Sequence, residues 1–169
     1  IIAIISGIKK NKSTNKNTKL INLRLSHVYG PYDNNNKFVF WLINQIKAKN
    51  NIIHLTSGIQ LKDFIYVDDV CDAIEVILTK YEYIKAYNEF DVCSGNPVTL
   101  KSFVLLIYKL IKQNHLVTSK LNFGIIKHDI NELMKYNLNN RFLQELGWEP
   151  TTDLLNGLQH TLNEHKKEA

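Results

Sequence analysis

Short β-rich apolar runs alternate with amphipathic helical runs along this chain, and that alternation confines it to the α/β class. Lys19–Leu25 alternates as a strand does, continues through His27–Tyr29 and stops at the Gly30-Pro31 turn. After an Asx-rich entry at Asp33–Asn36, residues Phe38, Trp41, Leu42 and Ile46 recur at helical spacing to about Lys49. Ile52–Leu55 and Asp63–Val67 read as short strands on either side of Gly58, and Asp68 or Asp69 is placed to cap a helix carrying Val70, Ala73, Ile74, Ile77 and Leu78. Glu89–Cys93 reads as a strand closed by Ser94-Gly95-Asn96-Pro97. Thr99 then caps an amphipathic helix, Leu100–Lys112, with Phe103, Leu106, Ile107 and Leu110 inward. Leu121–Ile126 is β-like. Asn139 opens a helix that runs through Leu146 to Gly147, and Thr152 caps a last one with Leu154, Leu155, Leu158 and Leu162 on one face. Ile52–Leu55, Asp63–Val67 and Leu121–Ile126 are too brief for a main sheet, which predicts a small lobe beside it.

Composition narrows the class further. A chain of 169 residues, 44% hydrophobic and 22% charged, can bury a core and is neither a disordered tail nor a repeat. Two cysteines exclude a disulfide scaffold and point to the cytoplasm. No apolar run reaches the ~18–20 residues of a membrane span, so no membrane partner is expected. The net charge of +5 is local: Lys9, Lys10, Lys12, Lys16, Lys19 and Arg24 precede the first acid, Asp33, and the remainder is nearly neutral. That run reads as a lysine-rich loop. With only two arginines, Arg24 and Arg141, the chain lacks the planar forks that nucleic-acid readers favour, and no nucleic-acid partner is expected. Its first residue is Ile, inside an apolar stretch, so the sequence reads as a piece of something longer.

Four stretches then line up in order: Leu23–Pro31 (LRLSHVYGP), Gly58–Val70 (GIQLKDFIYVDDV), Tyr87-Asn88 through Ser94-Gly95, and Leu146–Pro150 (LGWEP) followed by Gly157-Leu158. Together they resemble the carboxy-terminal half of the NAD-dependent epimerase/dehydratase family, the extended short-chain dehydrogenases that act on nucleotide sugars. The likeness spans roughly Lys19 to Leu162. It implies the last sheet strands of a Rossmann-like fold plus a small substrate-binding lobe. The implied division places 1–36 and 68–118 on the Rossmann side, and 37–67 and 119–169 mainly in the lobe. It also implies NAD or NADP as cofactor of the full-length protein, a nucleotide sugar as partner, and leaves a homodimer of the full-length form open. By the resemblance Ser26 and Val28 contact the cofactor, and His27, Phe38, Leu55 and Lys62 contact the substrate. The chain departs from the family pattern at three places. His27 stands at an Asn position, Lys62 at an Arg position, and a later Arg falls at about Asp129. Lys62 keeps the charge, and a lysine in a turn before a short strand can aim a mobile ammonium at a diphosphate, but it lacks the bidentate fork of arginine.

Two family features are absent from the sequence. The glycines at 7, 30, 58, 95, 124, 147 and 157 are never two or three apart, so there is no dinucleotide fingerprint. Ile1–Ile8 reads as the end of a buried helix or strand; the resemblance makes it the end of the helix whose catalytic Tyr-x-x-x-Lys is expected just before residue 1. Tyr81/Lys85 and Tyr108/Lys112 match the spacing, as about one pair does by chance, and both read as solvated helix faces. No catalytic residue is therefore assigned, and the chain alone is expected to be silent and to bind NAD(P) immeasurably. His27, His54, His115, His128, His160 and His165 make no metal spacing with Cys71 or Cys93, and no metal site is assigned. Each cysteine reads as a small buried hydrophobe, and Trp148 as a packing plug.

Overall fold

The computed structural model describes residues 2–5, 19–49, 51–84, 87–135 and 137–165. In chain order its elements are β1 (Ile2–Ile5), β2 (Lys19–Leu25), β3 (His27–Tyr29), α1 (Phe38–Lys47), β4 (Ile52–Leu55), β5 (Leu61–Lys62), β6 (Phe64–Tyr66), α2 (Val67–Thr79), a 3-10 turn at Tyr81–Tyr83, β7 (Tyr87–Val92), β8 (Val98–Thr99), α3 (Leu100–Asn114), β9 (Lys120–Phe123), α4 (Arg141–Glu145) and α5 (Leu154–His165). The α/β class expected from the alternation is what folds. Most of the Lys9–Lys19 basic run lies outside the described residues. No helix among the described residues is long and apolar enough to cross a membrane.

The chain divides into two compact units, each assembled from separated segments. Unit 1 comprises Ile1–Val28, Asp63–Asn96 and Asn137–Asp153. Its centre is a parallel sheet in the order β1-β2-β7. Leu20 pairs with Tyr87 and Leu25 with Val92, so β2 and β7 end together at their carboxyl edge. Ile21 and Leu23 alternate inward from β2 and meet Ile65, Val70, Ala73, Ile77, Phe90, Val92, Leu143 and Trp148 in one core. Trp148 is the plug expected: it is buried, and its indole Nε1–H donates to Asp69 O at 3.1 Å.

Several expectations for this unit need correction. Ile2–Ile5 is a strand paired to β2 rather than a helix end. A short apolar run cannot choose between the two by periodicity, and a neighbouring strand decides. Neither Asp68 nor Asp69 caps α2: the cap position is Tyr66. Asp69 is instead buried, and its carboxylate accepts from Thr151 N at 2.8 Å, Thr151 Oγ1 at 3.1 Å and Thr152 N at 3.3 Å. The last helix begins at Leu154, two residues after Thr152, the expected cap. Asn139 accepts from Arg141 N, but α4 starts at Arg141 with Asn140 as its cap. Cys93 is buried whereas Cys71 is exposed on α2.

Unit 2 comprises Tyr29–Lys62, Pro97–Tyr136 and Leu154–Ala169. α3 packs against α1 and α5. Thr99 caps α3 as expected, its hydroxyl accepting from Ser102 N at 3.1 Å. The buried face of α3 is Phe103, Val104, Ile107, Leu110 and Ile111, with Leu106 only half-buried. On α5 the buried leucines are Leu158 and Leu162, while Leu155 is exposed. Two small ladders complete the unit: β4 pairs parallel with β9, and β5 pairs antiparallel with β8. The expected Leu121–Ile126 strand is shorter, because Gly124 turns the chain at φ +83 and Ile125 and Ile126 are exposed. Gly58 takes φ +70, and a Cβ there would lie 2.9 Å from the Lys101 backbone nitrogen, so only glycine lets the loop before β5 lie against the start of α3.

Candidate functional site

In unit 1 the chain turns at the carboxyl edge of the parallel sheet, the edge at which open α/β sheets hold ligands. Ser26 follows the last residue of β2, its N–H bonded to Val92 O at 3.0 Å. Its hydroxyl is buried with no hydrogen-bond partner among the described residues. His27 is exposed; its N–H donates to Asp63 O at 2.9 Å and its ring lies 5.5 Å from that of Phe64. Val28 packs on the unit's core. Asp63, buried, fixes the loop after β7: its carboxylate accepts from Ser94 N at 2.8 Å, Ser94 Oγ at 3.0 Å and Gly95 N at 2.9 Å. Three donors on one carboxylate make this loop rigid, and sequence reasoning did not single Asp63 out.

Cys93 sits beside that carboxylate. Burial first, then the charge of Asp63, pushes its thiol up to about 11. At pH 7.5 it is therefore a protonated, inaccessible thiol. Brief treatment with N-ethylmaleimide followed by peptide mass spectrometry is expected to label Cys71 within minutes and Cys93 only after denaturation. Rapid labelling of Cys93 in the folded chain would contradict this.

In unit 2 the expected substrate residues fall into two settings. Phe38 opens α1, with its ring 6.0 Å from that of Trp41 and nearly parallel to it. Leu55 ends β4; it is buried, and its carbonyl accepts from the N–H groups of Gly124, Ile125 and Ile126 at 3.0–3.1 Å. Lys62 ends β5 and stands in a polar cluster. Only 8% of it is exposed. Its ammonium donates to Leu133 O at 3.2 Å and lies 3.4 Å from Glu132 Oε1. Instead of the mobile ammonium expected from the sequence, the structure has a buried, ion-paired one.

Glu132 is the hub of that cluster. Oε1 also accepts from Gln60 Nε2 at 3.0 Å, and Oε2 lies 3.1 Å from His128 Nδ1. An ionised carboxylate only accepts, so Nδ1 donates to Glu132, and Nε2 shares a hydrogen bond with Ser57 Oγ at 2.8 Å. The His128 hydrogen bond, then those of Gln60 and the charge of Lys62, hold the Glu132 carboxyl below its ordinary value. Gln60 is buried, and its Oε1 has no partner among the described residues. The loop is pinned to β5 by Leu61 N donating to Met134 O at 2.8 Å. Asp129, at the position where an arginine is implied, is exposed; its side chain and carbonyl accept from Asn131 N and Glu132 N.

Other candidates are otherwise engaged. Tyr108 donates its hydroxyl to Ser119 O at 3.0 Å. Tyr81 lies under the Lys19 ammonium, 4.2 Å from its ring centroid, and Lys85 lies outside the described residues. No group of three or more His, Cys, Asp or Glu able to hold a metal occurs among the described residues.

Residues 5–93 match the NAD dependent epimerase/dehydratase family. The chain is 36% identical over 142 residues to CDP-abequose synthase of Salmonella typhimurium, covering 84% of this chain and 47% of that one. It is 28% identical over 171 residues to a probable GDP-L-fucose synthase of Oryza sativa, covering 95% of this chain and 49% of that one. Among solved structures, UDP-glucose 4-epimerase of Thermotoga maritima with UDP-glucose superposes at a TM-score of 0.71 with 23% identity, over 89% of this chain and 47% of that one. dTDP-glucose 4,6-dehydratase of Bacillus anthracis in complex with NAD superposes at 0.69 with 24% identity, over 88% and 45%. The chain thus spans about half the length of the curated relatives it matches.

Proposed function

Since this chain belongs to the NAD-dependent epimerase/dehydratase family, we propose that it is the nucleotide-sugar-binding part of a cytoplasmic NAD(P)-dependent enzyme acting at C4 of a nucleotide-linked hexose. The observation that carries this reading is a buried lysine, Lys62, at a sheet end in a cluster built to hold an anion, within a chain 36% identical to a sugar-nucleotide enzyme. A buried ammonium is costly unless it meets a negative charge; Glu132 supplies it here, and a diphosphate would supply it in the complex. His27 offers one donor at the carboxyl edge of unit 1, and Phe38 and Leu55 supply apolar contact.

For the dinucleotide, the buried Ser26 hydroxyl, just past the end of β2 and without a hydrogen-bond partner among the described residues, fits a ligand contact, with Val28 two residues on in β3. NAD(P), when bound, supplies hydride chemistry at the hexose C4. Here the chain's own residues bind and orient: Ser26 and Val28 toward the cofactor, His27 and Lys62 toward the substrate. None of them moves the substrate's proton.

The test is calorimetry on the full-length protein with CDP-, GDP-, UDP- and dTDP-hexoses, followed by product analysis with NAD and NADP. Binding of one nucleotide sugar at micromolar concentration, with a product altered at C4, is expected. Failure of every nucleotide sugar to bind at 1 mM would leave a non-catalytic module of the same fold, a reading to which the pairing of Lys62 with Glu132 already lends weight.

A further inference from the structure

We propose that Glu132 is a tethered occupant of an anion site formed by Lys62, Gln60 and His128, and that its carboxylate must leave for a nucleoside diphosphate to enter. This rests on the nucleotide-sugar reading above and adds to it an internal competitor. Three donors converge on one carboxylate: Lys62 Nζ at 3.4 Å and Gln60 Nε2 at 3.0 Å from the β5 stretch, and His128 Nδ1 at 3.1 Å from the segment that carries Glu132 itself. Two of the donors, Lys62 and Gln60, are buried, whereas the acid they hold is less so, its side chain 23% exposed. Lys62 and Gln60 therefore belong to the buried fold, and the acid comes to them from a loop that also carries His128.

The loop is lightly attached. Ile130, Leu133 and Met134 around Glu132 are exposed, Ile130 at 98%, so no apolar burial resists a swing of the side chain. Its backbone is held separately, through Met134 O and the turn from Asp129 O to Glu132 N. The carboxylate can thus rotate out while the loop stays in place. The ligand would then inherit three donors, and Gln60 Oε1, buried and unpartnered, would offer an acceptor to a ligand hydroxyl. Ser57, bonded to His128 Nε2, keeps the imidazole aimed at the site whichever anion fills it.

The experiment compares wild type, Glu132→Gln and Glu132→Asp in the full-length protein, titrated calorimetrically with CDP, GDP, UDP and dTDP. Glu132→Gln keeps shape and removes the competing charge. It is expected to bind the preferred nucleoside diphosphate about 3- to 10-fold more tightly, the worth of one partly exposed ion pair with its hydrogen bond. Glu132→Asp is expected to stay near wild type. Without ligand the Gln variant should melt below wild type, since the Lys62 ammonium loses the charge of Glu132 and keeps its bond to Leu133 O, and saturating diphosphate should close that gap. A merely structural Glu132 would leave the gap open. Wild-type binding with Glu132→Gln unchanged or weaker overturns the competitor and leaves the nucleotide-sugar reading intact. No binding by wild type or either variant overturns that reading and the competitor with it.

Discussion

Replacing Lys62 with alanine in the full-length protein is expected to weaken nucleotide-sugar binding about 10- to 150-fold. A single ammonium making one or two charge-assisted hydrogen bonds is worth ~1.5–3 kcal/mol, and each ~1.4 kcal/mol is a factor of ten. Affinity for NAD(P) should not change, because the contacts proposed for the cofactor, Ser26 and Val28, are not part of the Lys62 cluster. Lys62→Arg should hold or improve binding, since the guanidinium adds a bidentate fork. His27→Asn should be milder, as either side chain donates one hydrogen bond. Lys62→Ala also strips Glu132 of its cation, so a melting curve accompanies the titration. Nucleotide-sugar affinity within twofold of wild type would make Lys62 a purely structural partner of Glu132.

The second large effect is on stability. Trp148→Ala is expected to cost ~3–5 kcal/mol, the range for removing a large aromatic from a packed core. Trp148 is 2% exposed and packs with Leu143, Val70 and the inward residues of β2 and β7. Its indole also donates to Asp69 O, whose carboxylate holds Thr151 and Thr152. The change therefore opens a cavity and loosens the segment that leads into α5. At ~2–4 °C per kcal/mol for a chain of this size, the melting temperature should fall ~6–20 °C. Trp148→Phe keeps most of the volume and loses the hydrogen bond, at ~1–3 kcal/mol. Urea unfolding of the three proteins measures both differences, and a loss below ~1 kcal/mol for alanine would mean that the Trp148 side chain is not part of the core.

What the sequence discloses and what it hides divides by range. Thr99 is legible as a cap because its partner, Ser102, is three residues away. The Ile52–Leu55 strand is legible because alternation is local. Lys62 stands in its turn and strand as expected, yet its partner Glu132 lies seventy residues downstream in a stretch without periodicity, so the ion pair that closes the cluster leaves no local signal. Asp69 fails for the same reason. A helix-start acid has an inexpensive local use as a cap, and only the fold reveals that a loop eighty residues later claims it. The strand at Ile2–Ile5 is invisible for another reason: four apolar residues fit a helix end equally well until β2 supplies a register. The family likeness was readable from four ordered stretches because their turns and small strands keep fixed spacings along the chain.

Each unit is woven from three stretches of chain, with crossings after Val28, Lys62, Asn96, Tyr136 and Asp153. On a ribosome this weaving sets an order of events. In unit 1, β2 cannot pair with β7 until β7 emerges, and the core around them stays open until Leu143 and Trp148 follow. Unit 2 waits longer still, for α5 to reach α3. Nearly the whole chain must therefore be synthesised before either unit can close, and for that interval Ile21, Leu23, Phe90 and Val92 stay exposed to other nascent chains. Cutting it at a unit boundary would yield two sets of unfinished cores and no smaller working domain.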